Sequence, residues 1–191
     1  SSKFFLKTMQ SRYNKKNLAV SKDLLNDIAD VGKDFHEDNM PNEIQGKHSV
    51  EDDMAAVNPR YDNGVIPGTR NNCLLCSVAY DLRRRGYDVT ALASESGTAS
   101  KGVLQEAIYK NLKIDRIRTW SWNSYFEKMV EQYPEGARGM LNAKGPYMGH
   151  SMAWEIHNGK VELLDTQRNV KMTARDLQSY GFDSKSKIGD S

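Results

Sequence analysis

Two cysteines, a histidine and an aspartate carry the chemical interest of this chain. Cys73 and Cys76 stand three apart in Asn71-Asn72-Cys73-Leu74-Leu75-Cys76-Ser77-Val78-Ala79-Tyr80-Asp81-Leu82-Arg83-Arg84-Arg85-Gly86. This stretch predicts a short helix with marked ends. Asn72 is a good N-cap, because its side-chain oxygen can accept a backbone N–H of the first turn. Leu75, Val78, Ala79 and Leu82 recur at helical spacing. The arginine run falls in the last turn, at the negative end of the helix dipole, and reads as a solvated helix end. Gly86 supplies the left-handed residue that closes a helix. Cys73 is thus expected at the first helical position, where the field favours the thiolate and a thiol pKa can fall from ~8.5 into the range ~3.5–7.5. That is the environment of a sulfur nucleophile. Cys76, one turn on beside the apolar stripe, reads as a buried structural thiol and is the alternative nucleophile.

A histidine to serve that sulfur comes from the most legible sheet signal. His150 to Ile156 and Lys160 to Asp165 are strand-like runs flanking Asn158-Gly159, the strongest short-range hairpin signal. A two-residue turn there pairs His157 with Lys160, Ile156 with Val161, Trp154 with Leu163, Met152 with Asp165 and His150 with Gln167. Side chains alternate across a strand, so His150, Met152, Trp154, Ile156, Val161, Leu163, Asp165 and Gln167 share one mostly apolar face. His150 and Asp165 become diagonal neighbours, ~7–8 Å or somewhat less apart. Unpartnered polar groups on an apolar face are costly, and catalysis would explain a histidine and an acid there. A helix-start cysteine, a histidine and an acid orienting the ring form the cysteine version of the catalytic triad. The Cys73 backbone N–H, with Asn72 or another nearby donor, is the candidate oxyanion binder. Gln167 and Trp154 are further substrate-positioning candidates.

The elements that must position these residues are less sharply written. Residues 3 to 35 read as an amphipathic helical arm, with Phe5, Leu6 and Met9, then Leu18, Leu24, Leu25 and Ile28. Residues 36 to 70 are polar and rich in turn formers, and read as a long loop delivering the chain to Asn72. Tyr87 to Leu92 alternates like a strand, and Val103 to Leu112 reads as helix or irregular. A helix is expected from about Asn123 to Tyr133, a strand from Arg138 to Ala143, and a short helix from Thr173 to Tyr180. The domain organisation expected is a helical arm over 1–45 and a catalytic domain over 46–191.

Composition narrows the function classes. The 191 residues suit one domain with an extension, and 38% hydrophobic residues permit a real core. A net charge of +2, from 27 basic and 25 acidic residues, gives no push toward nucleic acid or a membrane surface. No run approaches the ~20 apolar residues of a membrane span, and no signal-peptide core is present. The chain opens on Ser1-Ser2 without methionine, as a piece of a longer protein would. Two cysteines make no disulfide framework. A zinc site needs about four ligands, and the two cysteines with His48, His150 and His157 are a poor set, so no metal or cofactor is expected.

Three blocks together resemble the papain-fold toxin family, found at the C-terminal ends of bacterial polymorphic toxins and of phage minor head (MuF-type) proteins. The first is Asn72-Cys73-x-x-Cys76 with Ala79-Tyr80-x-x-Arg83-Arg84-Arg85-Gly86-Tyr87-Asp88-Val89-x-Ala91. The second is Gly149-His150-Ser151-x-x-Trp154-Glu155, then Gly159-x-Val161 and Asp165-x-Gln167. The third, upstream, is Val57-Asn58-Pro59-x-Tyr61. The family is similar to bacterial glutamine deamidases of papain-like fold. The resemblance implies an α+β papain-like cysteine hydrolase fold, with the nucleophile helix packed on an antiparallel sheet. It further implies Cys73 as nucleophile, His150 as base, Asp165 as orienting acid, and no cofactor. It also implies a protein substrate, an immunity protein as a possible partner, and an effector made in a bacterium or carried in a phage particle that acts in the target cell. Unlike papain-type peptidases, the chain has no glutamine shortly before the cysteine. Peptidase or acyl-transfer chemistry stays open, as do a CxxC thiol–disulfide oxidoreductase and a non-enzymatic binding module.

Overall fold

The computed structural model describes residues 4–11, 48–59, 61, 70–84, 90–91, 112–119, 121–144 and 149–182. Helices and an antiparallel sheet make this an α+β protein. In chain order the elements are β1 (Phe4–Ser11), α1 (Val50–Val57), α2 (Cys73–Arg84), β2 (Leu112–Thr119), α3 (Trp122–Gln132), β3 (Arg138–Lys144), β4 (Gly149–His157), β5 (Lys160–Asp165), β6 (Val170–Met172) and α4 (Ala174–Ser179). They form two compact units. One is built on the sheet with α3 and α4. The other holds α1 and α2, and the turn 166–169 between β5 and β6 belongs with it.

The sheet has six strands in the order β2-β1-β3-β4-β5-β6. Its best-specified part is the hairpin. His157 pairs with Lys160, Ile156 with Val161 and Trp154 with Leu163, the expected register. Asn158 and Gly159 both take positive φ, 52° and 70°, as a tight turn matched to strand twist requires. Their two N–H groups donate to the Glu135 carboxylate, Gly159 to Oε2 at 3.0 Å and Asn158 to Oε1 at 2.5 Å. These two backbone donors hold the exposed Glu135 carboxyl below the usual glutamate range. A carboxylate pKa depressed by folding contributes stability above its unfolded pKa, and that contribution is lost as pH falls through the folded value. The amide resonances of Asn158 and Gly159 are therefore expected to titrate together in acid, with a midpoint below that of an ordinary glutamate, and Glu135→Gln to abolish that titration. Resonances that stay still, or a midpoint at the ordinary value, would contradict this arrangement.

Helix α3 starts at Ser121, whose hydroxyl accepts from Ser124 N–H at 3.1 Å. An 11-residue helix is marginal alone. Trp122, Tyr125 and Met129 lie on one side of it and are buried with Tyr133 among Leu141, Met152, Trp154, Ile156 and Leu163 of the sheet. Full burial of large apolar side chains contributes roughly 1.5–3 kcal/mol each, more than the helix's own propensity supplies. Helix α4 follows Thr173, which forms a capping box with Asp176. It closes through Gly181 at φ 85°, with Phe182 N–H donating to Leu177 C=O and Gly181 N–H to Gln178 C=O. This closure seats Leu177 and Phe182 in the same core, and Trp122 Nε1–H donates to the Phe182 carbonyl.

Several sequence expectations are corrected. Residues 4–11 form a strand, paired through Thr8–Leu141, Met9–Met140 and Gln10–Gly139, not the start of a helical arm. They group with the sheet unit. The rest of the expected arm lies outside the described residues. The stretch 36–70 is not loop throughout. Ser49 caps α1 by accepting from Asp52 N–H at 3.0 Å, and Val50, Met54 and Val57 give the helix a buried side. The strand β2 was not anticipated. Thr90 and Ala91 lie in no strand, and Ala91 N–H donates to Val57 C=O at 2.8 Å; the rest of the expected strand, and Gly86, lie outside the described residues.

The arginine run is the clearest correction. Arg83 is buried, not solvated. Its Nε donates to Asp53 Oδ1 at 3.0 Å, and Arg84 Nη1 to Asp53 Oδ2 at 3.1 Å. Arg84 also donates to the His48 carbonyl at 2.8 Å. Two cations from the end of α2 thus hold the fully buried carboxylate of α1.

Candidate active site

Each half of the expected triad can be built from its own unit. In the helical unit, α2 begins at Cys73, as the sequence predicts. Asn72 stands at the N-cap, where its backbone carbonyl accepts from Cys76 N–H at 2.9 Å. Cys73 is partly exposed and Cys76 is fully buried, and they are not joined in a disulfide. The first-turn placement of Cys73 gives it the open N–H groups and the positive dipole end of α2. Ser77 Oγ–H donates back to the Cys73 carbonyl at 3.2 Å, inside the helix.

In the sheet unit, His150 lies near the start of β4 and Asp165 at the end of β5. Met152, Trp154, Ile156 and Leu163 of the same sheet face sit in the apolar core, with Val161 packed against it. At the end of that face, His150 Nε2 and Asp165 Oδ2 are 3.0 Å apart, their side chains 9% and 1% exposed. A nearly buried carboxylate is expensive unless a strong hydrogen bond satisfies it. Imidazole supplies that bond through Nε2–H, which makes Nδ1 the basic nitrogen of the neutral ring. The diagonal relation read from the hairpin register is the relation observed.

The other candidates sort differently. β5 ends at Asp165, so the expected His150–Gln167 pairing does not form. Gln167 instead sits in the turn 166–169, and its Nε2–H donates to Asn72 Oδ1 at 3.2 Å. Asn72 Nδ2–H donates to Asn58 Oδ1 at 3.1 Å. The Asn72 side chain thus gives one N–H and its oxygen to partners within its own unit. Trp154 is a core residue. It is fully buried, its Nε1–H donates to the Met140 carbonyl at 3.2 Å, and its ring lies 4.8 Å from that of Tyr133. His157 is half-buried, 3.6 Å from Glu155 Oε1. Trp120 lies outside the described residues.

Asn58 is the residue that sequence reasoning passed over. It read only as half of an Asn-Pro turn signal, although it falls within one of the three blocks carrying the family resemblance. Among the described residues, no group of three or more His, Cys, Asp or Glu could hold a metal ion, and no helix is long and apolar enough to cross a membrane. No protein-family model, curated protein or solved structure matches the chain.

Proposed function

We propose that the chain is a cysteine-dependent amidohydrolase of papain-like fold that deamidates a glutamine side chain of a target protein, as an effector or toxin domain. Cys73 is the nucleophile, His150 the base and Asp165 the acid that orients it. The observation that carries this reading is the 3.0 Å Nε2–Oδ2 bond at the end of an apolar sheet face. Asp165 fixes the tautomer that leaves Nδ1 as the proton carrier. The placement of Cys73 at the start of α2 supports the same reading, as does the ordered set of blocks resembling the papain-fold toxins.

The chemistry balances without a cofactor. The Cys73 thiolate adds to the carboxamide carbon while imidazolium holds the displaced proton. The tetrahedral oxyanion is met by backbone N–H groups at the start of α2. Collapse breaks the C–N bond, the imidazolium proton goes to the leaving nitrogen, and ammonia departs. Water, deprotonated by His150, then opens the thioester to give glutamate and the regenerated thiol.

The test is mass spectrometry on two fronts. Iodoacetamide at neutral pH should alkylate Cys73 at least about tenfold faster than Cys76. A glutamine-containing protein incubated with the enzyme should gain about 1 Da per turnover, and the gain should be lost in Cys73→Ala. Equal, sluggish labelling of both thiols would argue for a binding module. A reversible Cys73–Cys76 disulfide would favour thiol–disulfide exchange.

A further inference from the structure

Three amide side chains in the helical unit form a closed ring of hydrogen bonds. Asn58 Nδ2–H donates to the Gln167 backbone carbonyl at 2.8 Å. Asn72 Nδ2–H donates to Asn58 Oδ1 at 3.1 Å. Gln167 Nε2–H donates to Asn72 Oδ1 at 3.2 Å. Each residue gives one bond and receives one. Asn58 is the C-cap of α1, Asn72 the N-cap of α2, and Gln167 lies in the turn after β5. The ring therefore joins segments 14, 95 and 109 positions apart in the chain.

The direction of every amide follows from one atom. A backbone carbonyl accepts only, so Asn58 must turn its nitrogen toward Gln167 and its oxygen toward Asn72. Asn72 must then offer nitrogen to Asn58 and oxygen to Gln167, whose side chain must donate. No amide can flip without setting two oxygens or two N–H groups against each other. Asn72 and Gln167 are buried, so such a mismatch would not be relieved by water.

We propose that Asn58, Asn72 and Gln167 form a clasp that fixes the start of α2, with Asn58 and Gln167 acting as positioning residues for the Cys73 thiol. Its catalytic consequence rests on the reading of Cys73 as nucleophile. Asn72 carries the carbonyl that receives the first backbone bond of α2, and Cys73 is the next residue. Holding Asn72 holds the thiol in the field of the helix start.

Two near-isosteric variants probe the clasp. Gln167→Glu replaces a donor by an acceptor facing Asn72 Oδ1. Asn58→Asp keeps the oxygen that serves Asn72 and sets a second oxygen against the Gln167 carbonyl. Hydrogen exchange at Cys76 N–H, which binds the Asn72 carbonyl, reports the helix start. Cys73 alkylation by iodoacetamide at pH 7 reports the thiol. In each variant, exchange at Cys76 should rise about tenfold or more and alkylation should fall about threefold or more. Exchange at Ile156 in the hairpin should stay at the wild-type rate, showing that the sheet unit is folded. Asn58→Asp supplies the result if Gln167→Glu fails to fold. Unchanged exchange at Cys76 overturns the clasp, and raised exchange with unchanged alkylation overturns its role in positioning the thiol. A wild-type Cys73 that reacts no faster than an ordinary thiol, in a protein whose variants still lose Cys76 protection, defeats the proposed hydrolase and leaves the clasp standing.

Discussion

Replacing Cys73 by alanine is expected to lower kcat for glutamine deamidation by on the order of 10⁴-fold or more, with KM little changed. In the proposed mechanism the substitution removes the atom that bonds to the substrate. Cys76 is fully buried one turn further along α2, so Cys76→Ala should leave kcat within a few-fold. His150→Ala should match the Cys73 loss, because without an imidazole the leaving nitrogen has no proton donor. Asp165→Asn should cost less, roughly 10²–10⁴-fold. The ring would survive there, with its Nε2 partner weakened from a carboxylate to a neutral amide oxygen, or reversed in sense if the amide nitrogen faces it. Residues that act as one unit are not additive, so Cys73→Ala/His150→Ala should be no slower than either single variant. A double variant that loses the product of the two single effects would mean that the thiol and the imidazole work independently, and the triad reading would fail.

The second large effect is on stability. Asp53→Ala should destabilise the protein by about 3–5 kcal/mol, because it strands buried cationic charge. Asp53 is fully buried on α1, and both of its oxygens are engaged, one by Arg83 and one by Arg84. Arg83 is itself only 5% exposed, so it cannot recover water in place of the lost carboxylate without moving α2. For a chain of this size the loss corresponds to a fall in melting temperature of roughly 6–20 °C. The joint change Asp53→Leu/Arg83→Met should recover much of it, since apolar residues of similar volume often replace a buried ion pair without penalty. Thermal unfolding of the three proteins decides the matter. A single variant within about 0.5 kcal/mol of the parent would show that the buried contact contributes little.

What the sequence displays is what short-range chemistry controls. The Asn158-Gly159 turn fixes the β4–β5 register, and that register alone brings His150 within reach of Asp165. Helices α3 and α4 carry their own caps and α2 its apolar spacing, so the limits of all three are readable to within a residue or two. What stayed hidden depends on distant partners. Phe5, Leu6 and Met9 imitate helical spacing, and only pairing with β3, some 130 residues later, makes that stretch a strand. Helix α1 was masked by Glu51, Asp52 and Asp53, which read as loop. The burial of Asp53 makes sense only beside Arg83 and Arg84, about 30 positions on. The Gln167–Asn72 bond spans 95 positions, and no local rule anticipates it.

The place of β1 between β2 and β3 bears on how the protein is made. Both of its neighbours in the sheet come later in the chain, and β3 begins at residue 138, 127 positions after β1 ends at residue 11. At a synthesis rate of ~5–20 residues per second, the ribosome takes roughly 6–25 s to cover that distance. For that interval the nascent strand keeps a row of backbone donors and acceptors open to any passing β-edge. Shielding by a chaperone, or by the ribosome surface, would matter most during that window.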